Sequence, residues 1–126
     1  MNIPLGYETV TLVRRVEDRG EDGRTRMRYQ RHLLTGCSWR RVIHRTQSGG
    51  EIRFTEAITC RVPADKQRPS AGDYLFLGDV AGEFTSAAQL SETLNARRDA
   101  GAFIVTAVKD NARPGNPLPH WAALGE

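Results

Sequence analysis

The chain is poor in the residues that build most chemical sites. It has two cysteines and three histidines in 126 residues, and no Cys-x-x-Cys, His-Glu-x-x-His, glycine-rich phosphate loop or Gly-x-Ser-x-Gly elbow. His32, His44 and His120 fall in different segments, and a zinc site needs close-spaced ligand pairs that are missing here. The expectation is therefore a protein that is not an enzyme, with no cofactor and no bound metal. Lysine is also scarce: of 18 basic residues only Lys66 and Lys109 are lysine, a bias that GC-rich coding produces as readily as function does. No apolar run approaches the roughly 20 residues that span a bilayer, and "MNIPLGYETV" lacks the basic and apolar regions of a secretory signal. Cys37 and Cys60 are then expected as reduced thiols of a protein made in a cytoplasm.

What is present describes a globular domain. Apolar residues make up 39% and charged ones 26% of the chain, enough for one modest core over residues 1–126. The net charge of +3 permits contact with an acidic partner without requiring it.

The first half alternates with period two. In "YETVTLVRR" (7–15) Val10 and Leu12 share one face, with Thr9, Thr11 and Val13 on the other. The segment "EDRGEDG" (17–23) reads as a loop, and "RTRMRYQRHLL" (24–34) as a strand with Met27, Tyr29 and Leu33 on one side and arginines mostly on the other. "CSWRRVIHR" (37–45) and "IRFTEAITC" (52–60) flank Gly49-Gly50, a strong hairpin signal. A turn centred on Ser48-Gly49 sets Cys37 opposite Cys60, Trp39 opposite Ile58, Arg41 opposite Glu56 and Ile43 opposite Phe54. These eight form an apolar face with one charge-matched pair. The other face carries Ser38, Arg40, His44, Arg53, Thr55 and Thr59. With Trp39 turned away from Arg40, the arginines read as the coat of a wet face rather than as part of a stacking platform for bases.

Pro63 ends that strand and opens a polar loop to residue 74. "DYLFLGDV" (73–80) is a short apolar strand, and Ser86 with Gln89 resembles a capping box for a helix over about 87–99, stopped at Gly101. "AFIVTAVKDN" (102–111) reads as a central strand and "HWAAL" (120–124) as a last, edge strand. In that strand Trp121 is an anchor, Pro117 and Pro119 are stiffeners, and His120 lies near the loop of Asn111. Six or seven strands with one short helix and no βαβ alternation make a mainly β fold, a small antiparallel barrel or sandwich.

The order and spacing of "TVTL" (9–12), "GCSW" (36–39), "RVP" (61–63), "GDY" (72–74), "FIVTAVKDN" (103–111) and "HW" (120–121) resemble a family of small structural proteins of long-tailed phages, the head-closure or head–tail connector proteins. The likeness spans residues 7 to 125. It implies a virion protein of the neck: a β-barrel subunit in a ring, commonly twelvefold, between the portal or adaptor and the tail terminator, helping to retain packaged DNA. Weak non-specific contact with that DNA, and no membrane contact, goes with this reading. Trp39, His120 and Trp121 are then candidate anchor or assembly residues. Two other classes remain open: a tail-terminator or tail-completion subunit, and a small nucleic-acid-binding barrel.

Overall fold

A computed structural model describes residues 6–81, 84–112, 115 and 118–125. Among them are six strands and one helix: β1 (Glu8–Arg19), β2 (Thr25–Ser48), β3 (Glu51–Pro63), β4 (Tyr74–Leu77), α1 (Ala87–Gly101), β5 (Ala102–Asn111) and β6 (His120–Gly125). The strands close into an antiparallel barrel in the order β1-β2-β3-β6-β5-β4. No helix among the described residues is long and apolar enough to cross a membrane.

The barrel interior is filled from every strand. Val10 and Leu12 of β1 meet Leu34 and Cys37 of β2, Ile58, Cys60 and Val62 of β3, Leu75 of β4, Phe103 and Val105 of β5, and Ala123 of β6. A second cluster lies outside the barrel wall, where Leu90 and Leu94 of α1 cover Val13, Phe76, Val80 and Ala102. Alternation in β1 thus serves two cores, one on each side of the strand. The helix starts as its sequence predicts, with Ser86 accepting from the Gln89 amide at 3.2 Å. The return bond of the box goes one residue further back, from Thr85 N to Gln89 Oε1 at 3.0 Å. Along the helix Leu90 and Leu94 are buried, and Ala87 and Arg97 are exposed.

Strand β2 is 24 residues long because two hairpins share it. Its first part pairs with β1 and its second with β3. Between them a bulge inserts one residue, since Val10 faces Leu34 while Glu8 faces Cys37. Gly36 takes φ +71° there, a value that only glycine adopts freely. The extra residue changes which parity points inward, so Leu34 and Cys37 both reach the core.

The bulge corrects the reading of residues 24–34. Met27 and Leu33 are exposed, at 43% and 45%, and Tyr29 packs on the outer cluster, while the inward phase of this stretch carries Leu34. The segment 17–23 is also more ordered than its composition predicts. The ladder runs to Arg19↔Thr25, and Asp18 and Asp22 bridge to Arg28 and Arg26 at 3.1 and 3.6 Å. Acids facing arginines across the hairpin favour strand where a lone acidic run favours loop.

The β2–β3 register also differs from the sequence expectation. The turn is the two-residue Gly49-Gly50, with φ +59° and +84°, the pattern of a type I′ hairpin. Trp39 therefore faces Cys60, Arg41 faces Ile58 and Ile43 faces Glu56. Cys37 is not directly opposite Cys60; it lies one step beyond the last β2–β3 pair, Ser38↔Arg61, and faces Glu8 of β1. A slip of two residues preserves the faces, because side chains alternate with period two.

The last strand is not an edge. β6 lies between β3 and β5, bonded to both, and it completes the barrel.

Candidate functional site

Beyond Ile58, β3 has left β6, and beyond Cys37, β2 has left β1. The remaining hairpin, residues 39–57, is a two-stranded arm leaving one end of the barrel. Its inward phase begins with Trp39, whose ring meets Phe103 at 5.2 Å between centroids, tilted 56°. The same phase then leaves the core. Ile43 and Phe54 are each 68% exposed and Ile52 is 48% exposed. These are large apolar side chains on one face of an unsupported hairpin. Arg41 steadies its base, bridging Glu56 at 2.5 Å and donating from Nη2 to the carbonyl of Arg98 at 3.0 Å, near the C-terminal end of α1. A cation there satisfies an end carbonyl and the helix dipole together. The opposite face of the arm carries Arg40, His44, Thr59 and Arg61.

Sequence reasoning missed the most buried ion pair among the described residues. Asp73, 3% exposed, takes Arg14 Nε on Oδ1 at 3.1 Å and Nη2 on Oδ2 at 2.7 Å. Arg14 Nη2 also donates to the carbonyl of Arg68 at 2.7 Å. The Ser70 amide donates to Asp73 Oδ2 at 2.8 Å, and Asp73 N returns a bond to Ser70 O at 3.0 Å. Hydrogen bonding to Asp73 holds the Arg14 guanidinium above its usual range. The polar loop after Pro63 is therefore clamped to β1. The available signal was the acid of "GDY" entering a strand, which composition alone could not connect to Arg14.

The other predicted residues are placed as follows. Trp121 faces Val62 across the β3–β6 ladder and packs, half-buried, against the inner core. His120 begins β6; its Nδ1 lies 2.7 Å from the carbonyl of Leu118 and its Nε2 3.3 Å from Asn111 Nδ2. This fits the neutral ring protonated on Nδ1, a joint between strand ends. Pro119 is exposed, and Pro117 lies outside the described residues. Cys37 and Cys60 are free, buried thiols. Although not directly opposed they touch: the hydrogen bond to Cys37, with burial, pushes the Cys60 thiol well above its usual range. Trp39, Trp121 and the cysteines thus serve one core. His32 faces Leu12 with Nε2 buried and unbonded among the described residues. Among those residues no three His, Cys, Asp or Glu side chains gather as a metal site would require.

A family model matches residues 5–126, and the chain belongs to that family, a family of unknown function (DUF6751). No curated protein and no solved structure matches it.

Proposed function

We propose that this chain is a structural virion protein of a phage neck: a head-closure or head–tail connector subunit that assembles into a ring and helps to hold the packaged genome. The β2–β3 arm is the observation that carries the reading. An isolated two-stranded hairpin is marginal in water, and one that exposes Ile43, Ile52 and Phe54 along a single face gains stability only by burying them elsewhere. The barrel wall is closed, so among the described residues open edges fall on the two hairpins that leave it. The β1–β2 extension beyond Val13 exposes one large apolar side chain, Met27, whereas Ile43, Ile52 and Phe54 gather on the β2–β3 arm. A rigid barrel with an adhesive arm suits heterologous contacts that close into a ring. The resemblance of its motif order to connector proteins supplies the setting.

The test is to label this chain in virions and follow Ile43→Ser/Phe54→Ser. Label at the vertex joining head to tail is expected. The variant should melt like the parent, because both side chains are exposed, yet give heads that lose DNA and carry no tails. Label confined to the tail tip, or normal particles from the variant, would refute the proposal.

A further inference from the structure

The outward face at the root of the arm is concave and of one charge sign. A groove of about 620 Å³ lies where β2, β3 and β6 adjoin, lined by Ser38, Arg40, His44, Thr59, Arg61 and Leu124 among others, with no acidic residue in its lining among those described. Arg40, His44 and Arg61 are exposed, and none of them is ion-paired among the described residues. Arg14, Arg26, Arg28, Arg31, Arg41 and Arg53 are each matched to an acid. Arg15, Arg24 and Arg45 are also without one among the described residues, but Arg40 and Arg61 share one concave, acid-free lining. Two guanidiniums beside two hydroxyls and an imidazole form a donor set, and the partner such a set fits is a row of phosphates.

We infer that this groove binds the phosphodiester backbone of duplex DNA. The backbone is favoured over the bases because the groove offers no platform to stack on. Its one aromatic, Trp39, is engaged with Phe103, whereas single-strand binding relies on free aromatic faces. From Arg40 to His44 is four residues along a strand, about 13 Å at roughly 3.3 Å each, close to the axial rise of four base pairs at about 3.4 Å each. Binding here is electrostatic and independent of base sequence. It deepens the proposed neck function, giving its contact with the genome a place, and is separable from the assembly test because it uses the face opposite Ile43 and Phe54.

The experiment titrates the full chain into a fluorescently labelled duplex oligonucleotide at several salt concentrations, following anisotropy. Non-specific affinity of about 10⁻⁴–10⁻⁶ M is expected at physiological salt. Arg40→Gln/Arg61→Gln should weaken binding about tenfold or more at low salt and reduce the slope of log affinity against log salt by about 1.8, two phosphates at about 0.9 each. Arg40→Lys/Arg61→Lys should retain the parent slope. Each single Gln variant should lose about half the effect, so the result does not depend on the double variant folding. Arg24→Gln/Arg26→Gln removes equal charge from the other hairpin and should bind as the parent does. Equal loss from that control would show diffuse net charge and overturn the site. A single strand bound more tightly than the duplex, polyglutamate competing with the same salt slope, or no duplex binding at low salt would each overturn it as well.

Discussion

Replacing Asp73 by alanine removes one carboxylate and strands several donors. The Arg14 guanidinium loses two hydrogen bonds and the Ser70 amide loses its acceptor. Breaking a buried ion pair by deleting one partner costs about 3–5 kcal/mol, because the other charge stays behind uncompensated. Arg14 is not fully buried, with 23% of its side chain exposed, and it keeps the Arg68 carbonyl, so water recovers part of the loss. The expected cost is about 2–4 kcal/mol, and at about 3–5 °C per kcal/mol for a domain of this size the melting temperature falls by about 10 °C. Urea unfolding followed by circular dichroism gives the free energy directly. Arg14→Met and Asp73→Leu, singly and together, complete a cycle. The double variant should be more stable than Asp73→Leu alone, with a coupling of about 1–3 kcal/mol. A loss below about 1 kcal/mol for Asp73→Ala, or an additive cycle, would show that the clamp contributes little and that the loop is held by Pro69 and the backbone bonds to Val105.

Three further outcomes test the barrel. In Gly125→Ala the new Cβ would sit 2.1 Å from Phe103 Cδ2 and 2.5 Å from the Ile104 carbonyl, so a loss of about 2 kcal/mol or more is expected in thermal melts, from overpacking; an unchanged melt would show that β6 does not lie where the ladder puts it. Trp121→Ala should cost the isolated chain about 3 kcal/mol, the low end for a large aromatic because the ring is half-buried, and a variant that melts normally would place the anchor on a neighbouring subunit instead. Of the two interacting thiols Cys60 is pushed well up and Cys37 down on folding, each by the hydrogen bond to the other. The larger, upward shift of Cys60 dominates, so its contribution to stability is complete below the unfolded thiol's value of about 8.5 and is lost as pH rises above it. Urea midpoints across that range should decline less for Cys60→Ala than for the parent, and parallel declines would remove the thiol as the cause.

Much of the fold was legible because period two is a local signal. Val10 and Leu12 fall on one wall and Val13 on the other, as "TVTLV" alternates, and Ser86 with Gly101 brackets the helix. The β2–β3 faces survived a wrong register because the error was two residues, and only an odd slip exchanges faces. What was illegible depended on distance along the chain. Arg14 and Asp73 lie 59 residues apart, and no spacing rule links them. The bland "AAL" after Trp121 concealed an inner strand: Ala122 and Ala123 are small because β6 fits between β3 and β5, where Gly125 already crowds Phe103. The arm was read as an ordinary half-buried hairpin, since an apolar face looks the same in sequence whether its own chain or another covers it.

The bulge at Gly36 decides what each face of that arm is for. With regular alternation, Leu34 pointing inward would carry Ser38, Arg40 and Val42 inward with it, and Cys37 and Trp39 would face solvent. One extra residue reverses this. Cys37 and Trp39 enter the core, the same phase continues outward as Ile43 and, across the ladder, Phe54 and Ile52, and Arg40 and Arg61 go to the other side. The left-handed backbone at Gly36 would cost another residue about 1–2 kcal/mol, a modest penalty beside turning the Arg40 guanidinium toward the core, as a regular strand would. The exposed apolar face and the cationic groove are thus opposite sides of one hairpin, set by a single conformational choice at its root. In the proposed neck a neighbouring protein would cover the first and DNA the second, two contacts that need not compete.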